Sequence, residues 1–303
     1  METNPSNSWK WIVEIALLGC LVAHPLSAAQ VIEVGANPES LTRGFGGKYF
    51  ITLMGPTRIP GDGNGSIVVL EDKVPKTFCD GMDDPKGIVM MGDSLITADF
   101  TRVWKINSEG KKEVLAGPEA FPHPPLFLND VALAPDGQSV LVTDMGARDK
   151  MFGPDGLWPL DSAEAKALPV VGRLYRITPD GKVTEVIPAN PTMPCPNGVD
   201  QLPNGRIRIA EFFTGKVLER SGEGWKVLAE GHRTADGLGH DEKGRFYVSE
   251  VGTGKVWRYE ADGSGKVQLG EGLVSAADFL IDEKAGVIII PDTKSGKIVL
   301  IDL

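Results

Sequence analysis

Six positions in this chain occupy the same place in a recurring local pattern: Glu39, Lys86, Asn129, Asn197, Asp236 and Asp278. Five of them offer an oxygen atom. Carboxylates brought together in a confined place repel one another and lose hydration, and a hard dication relieves both problems. Calcium accepts six to eight oxygens from carboxylates, amide carbonyls and water. Glu39 and Asp236 would balance its charge, while Asn129 and Asn197 would add neutral oxygens. The set holds no His or Cys, which argues against zinc and copper. Magnesium or another divalent cation fits this mixed set less well than calcium. Each residue taken alone also has a plain reading. Asn197-Gly198 and Asp236-Gly237 are common turn dipeptides, Asn129 and Asp130 can end a strand, and Glu39 can be surface.

The elements that must position these residues form an internal repeat. The six positions are separated by 47, 43, 68, 39 and 42 residues. Eight residues past each lies a glycine in five copies, Gly47, Gly137, Gly205, Gly244 and Gly286, whereas the second copy has Gly92 slightly earlier. Turn residues such as Pro135-Asp136 and Pro203-Asn204 precede these glycines, and apolar runs such as Val140-Leu141-Val142 and Val287-Ile288-Ile289-Ile290 follow them. A third run opens with Gly and a basic residue, as in Gly215-Lys216-Val217 and Gly254-Lys255-Val256. Short strands at this spacing, with room for a fourth, read as propeller blades.

The predicted fold is therefore all-β, a six-bladed β-propeller with four-stranded blades over residues 30–303. The last copy reaches Leu303 after its third strand, so Val31 to Val34 should supply the missing outer strand and close the ring. The long third copy should carry a loop, from about Arg148 to Val171, over one face of the disc. In a propeller the first strand of each blade lines the central tunnel, so the six positions converge on the axis.

Bulk properties exclude some functions. The 303 residues carry a formal net charge of -10 and no block of Lys or Arg, which argues against a nucleic-acid surface. Residues 1–29 read as an export signal: Lys10, an apolar stretch from Trp11 to Ala23 interrupted by Glu14, then Pro25 and Ser27-Ala28-Ala29. The stretch is short for a bilayer span, and no membrane insertion is expected of the domain that follows. Leu17-Leu18-Gly19-Cys20 offers a second reading, lipid anchoring at Cys20. Cys79 and Cys195 lack metal-binding spacing and are either paired or buried thiols. There is no Gly-x-Ser-x-Gly elbow, His24 falls in the signal, and His123, His232 and His240 are scattered, so nothing points to a covalent nucleophile.

With the ring assembled, the chain resembles the SMP-30/gluconolactonase (regucalcin-like) family, and more distantly the paraoxonases and strictosidine-synthase-like propellers. The likeness runs from about Glu33 to Leu303. It is sharpest at Leu128-Asn129-Asp130-Val131, at Pro196-Asn197-Gly198-Val199 and at Ala235-Asp236-Gly237-Leu238. The resemblance implies that Glu39, Asn197 and Asp236 bind the metal directly, that Asn129 touches substrate or metal, and that Asp236 accepts a proton. There are departures. Ser40-Leu41-Thr42 replaces the usual residues after the first glutamate. Leu126-Phe127-Leu128 stands where sugar lactonases carry a substrate-binding arginine, which points to a more apolar acyl group. Lys86 stands where paraoxonases carry a histidine.

The expected activity is calcium-dependent hydrolysis of a small lactone or ester, the ion polarising the carbonyl and Asp236 or Lys86 taking the proton from water. Lys86 has a second reading as the partner of a nearby carboxylate. The competing class is a non-catalytic propeller that binds a ligand or a protein and uses calcium as a structural plug. Strictosidine-type condensation is a third reading.

Overall fold

A computed structural model describes Met1 and residues 29–303. The expected export signal, with Lys10, Cys20 and His24, lies outside the described residues apart from its two ends. The domain is a ring of six four-stranded antiparallel sheets. The innermost strands of the first five blades are Pro38–Arg43, Pro85–Met91, Leu128–Leu133, Pro196–Gln201 and Ala235–His240. In the sixth blade the regular inner strand is only Leu280–Asp282.

The sixth sheet closes as expected. Gln30–Glu33 pairs with Lys297–Asp302, with Val31 opposite Val299 and Ile32 opposite Ile298. Ile298, Ile289 and Val34 are buried with Leu41 and Ile51 of the first blade, so the seam between the chain's two ends is packed like the other seams. Between the second and third blades the matching cluster joins Ile96 and Val103 to Val131, Val142 and Tyr175. The core is thus a set of apolar layers between blades, and the axis is left to polar side chains.

The phased glycines do what their spacing suggests. Gly47, Gly137, Gly205, Gly244 and Gly286 all have φ between 64 and 84°, the left-handed region that side chains disfavour in the tight link between first and second strands. The long third copy is more than a loop. It holds a 3-10 turn at Arg148–Met151, a two-stranded hairpin of Phe152–Gly153 with Gly156–Leu157, and a helical turn at Ala163–Lys166. Ser162 caps that turn by accepting from Ala165 N. Met151 is fully buried, and with Leu157 and Trp158 it fastens the insertion onto Phe127, Phe212 and Phe213.

Cys79 and Cys195 are both buried and unpaired. Among the described residues no helix is long and apolar enough to cross a membrane.

Candidate functional site

The inner strand of each of the first five blades is bulged at the residues that were expected to converge. Register shifts separate Pro38 from Leu41, Pro85 from Ile88, Leu128 from Val131, Pro196 from Val199 and Ala235 from Leu238. The strict in-out alternation expected of a plain strand is therefore broken there. A bulge re-aims side chains, and here it turns Glu39, Lys86, Asn129, Asn197 and Asp236 into one cavity of about 440 Å³. Three bulges carry a glycine after the ring residue because the strands nearly touch at the axis. A Cβ on Gly198 would lie 2.2 Å from Asp236 O, and one on Gly87 would lie 2.4 Å from Val131 N.

Asp278 departs from the expectation. Its blade has no regular strand at that position, only an isolated bridge from Ala276 to Asp292. Asp278 Oδ2 accepts from Ser40 Oγ and Oδ1 accepts from Phe279 N. With Asp130 it lines a second opening, at the other end of the tunnel. Burial pushes Asp278 up to about 7, and burial together with the charge of Asp278 raises Asp130. Of the six ring positions, Glu39, Asn129, Asn197 and Asp236 are thus the ones that give oxygens to the cavity.

Those four are buried: Glu39 is 4% exposed, Asn197 2%, Asp236 5% and Asn129 6%. Asn197 Nδ2 donates to Asp236 Oδ1 at 2.6 Å. Asn129 Nδ2 points at Met145 Sδ, 2.8 Å away. Two oxygens of the set, Glu39 Oε2 and Asn197 Oδ1, are buried with no hydrogen-bond partner. A buried polar atom without a partner costs about 1–3 kcal/mol, and two in one cavity are acceptors suited to a cation or a hydrogen-bond donor. Burial, then the charge of Asp236, raises Glu39 well above the usual carboxylate range. Burial likewise pushes Asp236 up to about 6, against the Asn197 donor and the charges of Lys86 and Arg58. Among the described residues no three His, Cys, Asp or Glu side chains gather as a metal-binding group. The oxygen set is two carboxylates with two amides, a composition that suits calcium.

Lys86 is fully buried with its Nζ 3.0 Å from Asp84 Oδ2, 3.1 Å from Met54 Sδ and 5.1 Å from the centre of the Phe127 ring. It has found the carboxylate partner foreseen as its second reading. Burial lowers its pKa, with the charge of Arg58 adding to that, while Asp84 and then Glu39 favour its charged form. The other oxygen of Asp84 holds Arg58 Nε at 3.1 Å.

Backbone strain gathers at this cavity. Asn37, Arg58 and Thr234 line it with φ of 53, 55 and 68°. Asn37 and Thr234 each stand two residues before a carboxylate of the oxygen set. Left-handed backbone at a β-branched residue such as Thr234 costs about 1–3 kcal/mol, and persists where the surroundings fix it. Here Thr234 Oγ1 accepts from Gly252 N at 2.9 Å and its carbonyl accepts from Val251 N.

Sequence reasoning missed the groups that hold the delivering loops. An acidic residue at the end of the second strand accepts hydrogen bonds from the loop ahead of the ring residue. Asp99 accepts from the Asp83 and Asp84 amides, Asp144 from those of Leu126 and Phe127, Glu211 from Cys195 N, and Asp292 from those of Val274 and Ser275. In the fifth blade Glu250 instead binds His232 Nδ1 at 2.8 Å, and His232 Nε2 meets Tyr259 OH at 2.7 Å. The signal was present in the sequence as Asp144, Glu211, Glu250 and Asp292, which stand 14 or 15 residues past the ring positions. His123 lies on the surface beside Glu185, and His240 pairs with Asp200 of the neighbouring blade at 2.7 Å.

Comparison with known proteins bears on this geometry. The family described as SMP-30/Gluconolactonase/LRE-like region matches residues 62–279. No curated protein sequence matches the chain. Among solved structures, a gluconolactonase from Xanthomonas campestris superposes with a TM-score of 0.70 at 15% identity, over 92% of this chain and 91% of its own. A luciferin-regenerating enzyme gives 0.66 at 12% identity, over 91% of this chain and 98% of its own. Regucalcin from Agrobacterium tumefaciens, a calcium-binding protein, gives 0.65 at 13% identity, over 91% and 93%. At such identities the superpositions speak for the shared fold.

Proposed function

Because the chain belongs to the SMP-30/gluconolactonase/LRE-like family, we propose that it is a calcium-dependent hydrolase of a lactone or ester. Glu39, Asn129, Asn197 and Asp236 are the residues that would hold the ion. The observation that carries this reading is the pair of partnerless buried oxygens, Glu39 Oε2 and Asn197 Oδ1, in a cavity shared with Asp236. Calcium in that place supplies a Lewis acid for the carbonyl and for the charge that develops on it. Asp236 is the carboxylate that takes a proton from the attacking water. Its Oδ1 is fixed by Asn197 Nδ2, which leaves Oδ2 as the working oxygen. Lys86 holds Asp84 in place and offsets the charge of Glu39. Phe127, Met145 and Phe212 form the apolar wall that keeps bulk water from the oxygens.

The test is a panel of aryl esters and γ-lactones, assayed before and after chelation. Chelated protein should lose hydrolysis yet keep its β circular-dichroism signal, and added calcium should restore the rate. Calcium binding without turnover of any member of the panel would move the protein to the binding-module reading. Export through residues 1–29, by simple cleavage or with a lipid at Cys20, belongs to the same proposal and is supported by the sequence of that segment. Mass spectrometry of the processed N-terminus distinguishes the two routes.

A further inference from the structure

The charges around the cavity do not match those of the molecule. The chain carries -10 overall, yet among the described residues the carboxylates lining the cavity are Glu39 and Asp236, against the cations Arg58, Lys86, Arg148 and Lys294. Both carboxylates are spent on a dication if one is bound. Asp84 alone answers both Lys86 and Arg58, using one oxygen for each. Arg148 pairs with Asp149 at 2.9 Å, but the Asp149 side chain is 86% exposed, so solvent screens that pair. The filled cavity therefore keeps an excess of positive charge.

Depth separates the two kinds of group. The oxygens are buried, whereas the side chains of Arg58 and Arg148 are 33% and 35% exposed and mark the mouth. Neither has a carboxylate to itself: Arg58 shares Asp84 with Lys86, and the Asp149 partner of Arg148 is in solvent. Arg58 sits on left-handed backbone and is tied to Asp84 through Nε, and Arg148 lies 5.0 Å from the centre of the Phe127 ring and 5.7 Å from that of Phe152. Arg58 keeps both terminal nitrogens for a planar anion, and Arg148, which gives Nη1 to the exposed Asp149, keeps Nε and Nη2. Phe127, Met145 and Phe212 line the same cavity: the Phe127 ring faces Arg148, and Met145 Sδ meets Asn129 Nδ2.

Resting on the hydrolase reading above, we propose that the substrate class is a lactone or ester that carries a carboxylate and an apolar or aromatic body. The carboxylate docks on Arg148 and Arg58 at the mouth, the body lies on Phe127, Met145 and Phe212, and the reacting carbonyl reaches the buried oxygens. The blade-three insertion supplies Arg148 and so sets this preference.

Binding is measured first, by calorimetry on the calcium-loaded chain with 4-phenylbutyrate and with 4-phenylbutanamide, which share size and shape and differ in a carboxylate against a neutral amide. The acid should bind at least about tenfold tighter, the ratio expected for one charge-assisted pair of hydrogen bonds. Arg148→Gln should bring acid and amide to within about threefold, and Arg148→Lys should restore part of the gap. Thermal melting of Arg148→Gln verifies that the half-exposed substitution leaves the fold intact. Equal affinities in the unaltered chain, no binding of either probe, or an acid preference that survives Arg148→Gln because the carboxylate sits on the ion, overturns the proposal. Turnover of dihydrocoumarin-6-carboxylate and its 6-carboxamide is read separately. Hydrolysis of neither removes the hydrolase reading and leaves the calorimetric result standing. Hydrolysis of both at equal kcat/KM overturns the anion preference alone, and a higher kcat/KM for the carboxylate supports it.

Discussion

At the residue scale the cavity is a place where charge is stored at a cost. Glu39 and Asp236 are both buried and raised, Glu39 partly by the charge of Asp236, so the cavity carries repulsion that a bound cation would remove. Glu39→Gln should separate the two effects. In chelator its melting temperature should equal or exceed that of the unaltered chain, since one buried charge is gone. Calcium at a hundredfold excess over Kd stabilises a native protein by about 2.7 kcal/mol, and most of that gain should vanish in Glu39→Gln. Paired thermal melts with and without calcium read both changes, and a variant that loses stability in chelator while keeping its response to calcium defeats the assignment. Lys86 and Asp236 are separated in the same way. Asp236→Asn should lower kcat by about a hundredfold or more, the usual contribution of a general base. Lys86→Met should lower it by less than about tenfold, because Lys86 Nζ is directed at Asp84 and Met54, and its larger effect should be on thermal stability. A kcat loss in Lys86→Met as large as that in Asp236→Asn makes the lysine the base.

At the element scale the site depends on loops that approach the axis and on the carboxylates that pin them. Asp144 accepts from Leu126, Phe127 and Gly146 amides at 3.1, 2.9 and 2.9 Å. Asp144→Ala leaves the buried amides of Phe127 and Gly146 unanswered, which should cost about 2–5 kcal/mol and slacken the loop that delivers Asn129. Denaturant unfolding reports the first effect and calcium titration the second. An unchanged midpoint would show that water replaces the carboxylate.

This scale also separates what the sequence disclosed from what it hid. The blades were legible because turn glycines recur in phase and a left-handed φ leaves few alternatives to glycine. The oxygen set was legible because Glu39, Asn129, Asn197 and Asp236 keep that same phase. Asp278 shares the phase but not the strand: without the bulged pairing of the other blades, its side chain settles on Ser40 Oγ and Phe279 N. Arg58 and Arg148 were hidden because both stand on connections outside the repeat, where no period places them. The carboxylate clips were visible as letters, yet their role lies in hydrogen bonds to loops 15 to 18 residues away, which period counting does not see.

At the scale of the whole molecule, a ring positions an axial site only while it is closed. The oxygens of the cavity come from four blades, the first, third, fourth and fifth, and a gap at any seam lets the inner strands drift apart. The seam most open to test is the one between the chain's two ends. There Gln30–Glu33 covers the edge of Lys297–Asp302, and Val34 and Ile32 pack with Ile289, Ile298 and Leu41. A chain beginning at Gly35 loses that apolar burial, about 1.5–3 kcal/mol for each large side chain, and bares the backbone groups of Lys297–Asp302. At about 2–4 °C per kcal/mol for a domain of this size, its melting temperature should fall by roughly 10 °C. An exposed edge strand also invites pairing between copies, so light scattering should rise with protein concentration. Calcium affinity should fall as well, because Glu39 begins the first blade only a few residues beyond the missing strand. If the shortened chain melts and binds calcium as the longer one does, the inter-blade packing alone holds the ring, and the terminal strand is a cover for the edge and not the clasp of the site.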